Sequence, residues 1–160
     1  MRLLLPAALL AVSVGLSACG GEPEATRDDA GAVASAGAVD AFSVELGDCM
    51  DQPTSTGGEL EEVDEIKAVP CTEPHDGEVY EVLDLPDGDF PGDEALSATV
   101  DEKCGAAFDS FVGMPFDESV LGFFSLQPTQ ESWAEDDREV ACFVGDPEAK
   151  TTGSLKGAAR

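Results

Sequence analysis

The 160-residue chain holds one histidine, one tryptophan, one tyrosine and only 8 lysines and arginines against 34 acids. Each scarcity excludes something. With His75 alone and no Cys-x-x-Cys pair, a zinc site lacks its ligands, so we expect no metal and no cofactor. Hydrolysis needs a nucleophile, a base within hydrogen-bond reach and an orienting group; no Gly-x-Ser-x-Gly turn is present and no serine is marked by its surroundings. Carboxylate pairs suited to glycoside chemistry arise by chance among 34 acids and carry no information. No catalytic residue and no enzyme activity are therefore expected. A formal charge of −26 repels nucleic acid and other polyanions, which leaves cations and basic protein faces as better partners.

Long apolar runs are also missing. The longest, from Leu3 to Gly15 behind Arg2, is shorter than the roughly 20 residues a permanent membrane helix needs. It has the layout of an export signal. The run closes on Leu16-Ser17-Ala18-Cys19, which resembles the lipobox of bacterial lipoproteins, where the cysteine thiol accepts a diacylglyceryl group. An ordinary cleaved leader with Cys19 as a free thiol is the alternative. Parity favours lipidation: of five cysteines, removing Cys19 leaves the even set Cys49, Cys71, Cys104 and Cys142. Each buried methylene contributes about 0.8 kcal/mol, so two long chains give a lasting anchor. The expected organisation is a lipoprotein signal peptide at 1–18, an acylated N-terminus with a flexible linker at 19–41, and one domain at 42–160. The expected location is the extracytoplasmic face of the cell membrane.

Within the domain, Val44 and Leu46 before Gly47-Asp48-Cys49 predict a short strand ending in a turn. Val79 to Leu85 alternates as a longer strand, closed by Pro86-Asp87-Gly88. Between Pro91 and Gly113 the period lengthens: Leu96, Val100, Cys104, Ala107 or Phe108, and Phe111 share one helical face, with Asp93 as N-cap and Gly113 at the left-handed end. Val120 to Leu126 and Glu139 to Val144 predict two more strands, the last turning Val140, Cys142 and Val144 inward. The fold class is α+β, a small antiparallel sheet of about four strands with one main amphipathic helix packed on it and two disulfides.

Four cysteines allow three pairings. We favour Cys49 with Cys71 and Cys104 with Cys142, the second joining the apolar helix face to the last strand. His75 lies in Pro70-Cys71-Thr72-Glu73-Pro74-His75-Asp76, where two prolines and a disulfide would fix side-chain directions. The candidate binding surface is Glu73, Pro74, His75 and Asp76 together with Trp133; the simpler readings are a hydrogen-bonded loop histidine and a tryptophan that anchors packing. Asp84, Asp87 and Asp89, or Glu135 to Asp137, could bind Ca²⁺ weakly, although neither follows a calcium-loop pattern.

Several motifs occur in order: Gly47-Asp48-Cys49, Val69-Pro70-Cys71, Pro74-His75-Asp76-Gly77-Glu78-Val79, Pro91-Gly92-Asp93, Glu131-Ser132-Trp133, Val140-Ala141-Cys142 and Gly153-Ser154-Leu155-Lys156-Gly157. Together they resemble the septum-formation domain family of actinobacterial envelope lipoproteins, over about Val44 to Gly157. The resemblance implies an extracytoplasmic domain linked to septation or envelope processes, and it brings no catalytic set. The expected function is a non-catalytic interaction module that contacts the membrane through its lipid and envelope or division proteins through its surface. An acidic ligand-binding or Ca²⁺-sensing domain is the alternative, and a hydrolase of wall polymers the third.

Overall fold

A computed structural model describes residues 23–51 and 65–160. Cys19 and the export segment lie outside the described residues. Among those described, the chain forms eight strands and two helices: β1 (Thr26–Arg27), β2 (Val33–Ser35), β3 (Gly37–Asp40), β4 (Cys49–Asp51), β5 (Glu65–Val69), β6 (Gly77–Asp84), α1 (Asp93–Val112), β7 (Gly122–Leu126), α2 (Gln130–Ala134) and β8 (Glu139–Gly145). β1 and β2 make a small hairpin, and the other strands make one sheet in the order β3-β5-β4-β6-β8-β7. Every pairing between these strands is antiparallel.

The neighbouring strands β6 and β8 show why the sheet is buried on both faces. Val140, Cys142 and Val144 of β8 meet α1, while Ala141 and Phe143 enter a second core with Val44, Met50, Ile66 and Val79. Such a strand reads as a nearly continuous apolar run. Tyr80 sits at a bulge in β6, where the register with β8 shifts between Val79 and Glu81. The extra residue resets the alternation, so that Tyr80 and Leu83 pack in the helix-side core whereas Val79 and Val82 pack in the other.

Helix α1 lays Leu96, Val100, Cys104, Phe108 and Val112 against the sheet at a uniform four-residue spacing. Each fully buried aliphatic or aromatic side chain contributes about 1.5–3 kcal/mol, so this stripe fixes the helix in place. The helix ends as expected, with Gly113 left-handed at φ 80° and its N–H donating to the Asp109 carbonyl. Its start differs by one residue: Gly92 is the cap, and Asp93 and Glu94 fill the first turn without a side-chain cap bond.

The disulfides join Cys49 to Cys71 and Cys104 to Cys142, the favoured pairing. Two expectations need correction. The strand expected at Val44–Leu46 lies after the turn, at Cys49–Asp51, because Asp40 caps a 3-10 turn at Ala41–Ser43 and drives Val44 into the second core. The linker expected at 19–41 is folded from Pro23 onward: β3 pairs with β5, and Arg27 donates two hydrogen bonds to the buried Asp48 at 2.6 and 2.7 Å. With β3 and β5 added, the sheet has six strands rather than about four.

Candidate functional site

The residues expected to share a binding surface are separated and partly buried. His75 has 0% exposure, held by a backbone bridge in which His75 and Thr151 exchange N–H to carbonyl hydrogen bonds at 2.9 and 2.8 Å. Its Nδ1 lies 2.9 Å from the Glu73 carbonyl oxygen, the neighbour that fixes the ring. Trp133 packs in the helix-side core, its indole N–H donating to the Gly88 carbonyl at 2.9 Å. These two side chains sit at opposite ends of β6, which begins at Gly77 and ends at Asp84, so they form no common surface. Glu73 and Pro74 are exposed and Asp76 pairs with Lys150, but the imidazole beneath them is buried.

The reason lies in the C-terminal segment. From Thr151 the chain runs back along the domain: Gly153 donates to the Cys71 carbonyl, Gly157 to the Phe111 carbonyl and Ala159 to the Val112 carbonyl. Glu78, only 3% exposed, anchors this strap by accepting hydrogen bonds from the Ser154 hydroxyl and the Leu155 N–H, both at 2.6 Å. The strap pairs with the backbone of the buried His75 at Thr151.

An open cleft of about 420 Å³ lies elsewhere, at the far end of β6 and β8. Its lining carries five carboxylates, Asp84, Glu135, Asp136, Asp137 and Glu139, with Phe42, Ser132 and Arg138. The local sequence builds it from a tight frame. Thr129 and Ser132 form a capping box at the start of α2, and the Ser132 hydroxyl donates to Asp137 at 2.7 Å. Asp136 takes the left-handed conformation at φ 71°, which short polar side chains tolerate. Arg138 stacks 3.9 Å from the centre of the Trp133 ring and donates to the Trp133 and Asp137 carbonyls at 2.8 and 2.6 Å. Its guanidinium is therefore committed to the frame, and the carboxylates dominate the field.

That field is visible in Glu139. Partial burial, then the neighbouring Asp84 and Asp137 carboxylates, hold its carboxyl above the usual range. A cation or a lysine or arginine side chain entering the cleft would relieve this repulsion. Among the described residues no group of three or more His, Cys, Asp or Glu side chains is arranged to hold a metal ion. Of the sequence-predicted residues, Glu135 to Asp137 and Asp84 belong to this cleft; its completion by Phe42 and Glu139 was hidden, because the approach of residue 42 to residue 139 is a tertiary event.

Fold and site together define a disulfide-braced α+β domain with a two-faced antiparallel sheet and an acidic cleft at one sheet end. A family model described as septum formation matches residues 19–142, and the chain belongs to that family. No curated protein and no solved structure matches it.

Proposed function

We propose that this chain is a lipid-anchored, extracytoplasmic interaction module without catalytic activity, acting in septum formation or a related envelope process. One observation carries the address: four of the five cysteines are joined in two disulfides, and the fifth, Cys19, closes the segment resembling a lipobox. Disulfides persist in oxidising compartments, which supports export, and a fifth cysteine at the end of an apolar leader supports acylation. Intact-mass spectrometry of the membrane fraction tests it. The expected product begins at Cys19 with diacylglyceryl and acyl chains, and an unmodified Cys19 thiol would refute the anchor.

The molecular role rests on charge. The family match supports a septation-related setting, and the acidic cleft favours basic or amphipathic segments of envelope or division proteins. Crosslinking in growing cells, comparing the natural chain with a D84N/E139Q double variant, tests this reading. Partners using the cleft should be lost from the variant; retention of every partner would remove the cleft from the proposal.

A further inference from the structure

The domain's posture is constrained by the way residues 23–25 are held. Ala38 donates to the Pro23 carbonyl and Ala25 to the Ala38 carbonyl, both at 2.9 Å, so residues 23–25 run alongside β3. Glu24 and Ala38 form a parallel bridge there. The close approach depends on Gly37: a Cβ at that position would meet the Pro23 oxygen and the Ala25 nitrogen at 2.4 Å. Downstream, the bidentate Arg27–Asp48 pair fastens the same segment to the turn before β4. Only residues 20–22 then separate Cys19 from Pro23, the first described residue, and four backbone steps span at most about 14 Å whatever their conformation.

We propose that the domain, resting on acylation of Cys19, is held against the bilayer surface with its β3 edge inward and its β7 edge outward. The occupant of the inner edge is the lipid headgroup layer, identified by the length of chain between the anchor and Pro23. Five inter-strand steps of about 4.8 Å place β7 roughly 24 Å from β3, well beyond that leash. Attraction does not set the orientation, because the exposed acids Glu24, Asp28, Asp29 and Asp40 flank this edge. Repulsion from anionic lipid decays over about 8 Å at physiological ionic strength, and a leash of about 14 Å keeps the edge within two such lengths. The covalent restraint prevails.

Energy transfer tests the posture. The acylated full chain is reconstituted in phosphatidylcholine–phosphatidylglycerol vesicles that carry a headgroup acceptor dye, with a donor fluorophore introduced as a non-natural amino acid at Ala34 or Val120. Both positions are exposed, Ala34 in the hairpin beside β3 and Val120 just before β7. Severalfold greater transfer from position 34 is expected. A Gly/Ser spacer of about 20 residues inserted after Glu22 should bring the two positions toward equality, since its mean reach is about 25 Å. Gly37→Val, which releases residues 23–25, should shift them the same way. Equal transfer from the natural chain, or greater transfer from position 120, would overturn the orientation. Mass spectrometry of the same sample separates the two claims: an acylated protein with equal transfer sinks the orientation alone, whereas an unacylated one sinks the anchor and the orientation together.

Discussion

Glu139 shows how a residue can serve a site at the expense of its own stability. Its carboxyl is held above the usual range by partial burial and by Asp84 and Asp137, so the ionised form is disfavoured in the folded state. A raised acid favours the folded state once protonated, so its contribution improves as pH falls through the folded value and is worst at neutral pH. Glu139→Gln should therefore raise stability at pH 7 by less than about 1 kcal/mol, the scale of partly exposed charges, and the gain should vanish once pH falls below the ordinary glutamate range. Paired thermal melts of the two proteins check both the sign and the window. Glu78 supports the fold by hydrogen bonding: its buried side chain accepts from two donors on the C-terminal strap. Glu78→Ala leaves the Leu155 N–H without its acceptor and should cost about 2–3 kcal/mol, read by urea denaturation. Carboxypeptidase digestion should then shorten the variant faster than the natural chain.

Elements differed in how plainly the sequence announced them. Helix α1 was legible because Leu96, Val100, Cys104 and Phe108 repeat at helical spacing and Gly113 supplies the left-handed end. Strands β6 and β8 were legible from alternation and apolar density. Strand β3 was not: Gly37, Ala38 and Asp40 around Val39 have little strand propensity, and the segment is extended because β5 pairs with it and residues 23–25 cover its other side. The buried state of His75 was equally hidden, since it depends on Thr151, 76 positions away. The disulfides test the same logic of tertiary cover. Cys104 and Cys142 are fully buried between α1 and β8, whereas Cys71 is partly exposed. Mild reductant should open Cys49–Cys71 first, with Cys104–Cys142 surviving until global unfolding; mass mapping of alkylated cysteines checks the order. Replacing Cys104 and Cys142 by alanine should cost about 3–4 kcal/mol for a loop of this size.

At the scale of the whole molecule, charge opposes compaction. Without Arg2 the chain carries 34 acids against 7 bases, and several of those bases are committed: Arg27 to Asp48, Lys67 to Asp51, and Lys150 to both Asp51 and Asp76. At Asp51 burial pushes the carboxyl up, yet the Lys150 and Lys67 ammonium groups outweigh it and hold the group below the usual range. Salt would weaken these exposed lysine pairs, each worth about 0–1 kcal/mol, while leaving the Arg27–Asp48 pair, whose carboxylate is buried, less affected. It would also screen the repulsion among the surplus acids, which acts over the entire surface and destabilises the folded state. The like charges outnumber the pairs, so screening should win. Raising sodium chloride from low to near-physiological concentration should increase the melting temperature of the soluble domain from residue 20 onward. The increase should level off as the screening length falls below the spacing between surface carboxylates. A steady fall in melting temperature over the same range would show instead that the few ion pairs outweigh the acidic surplus.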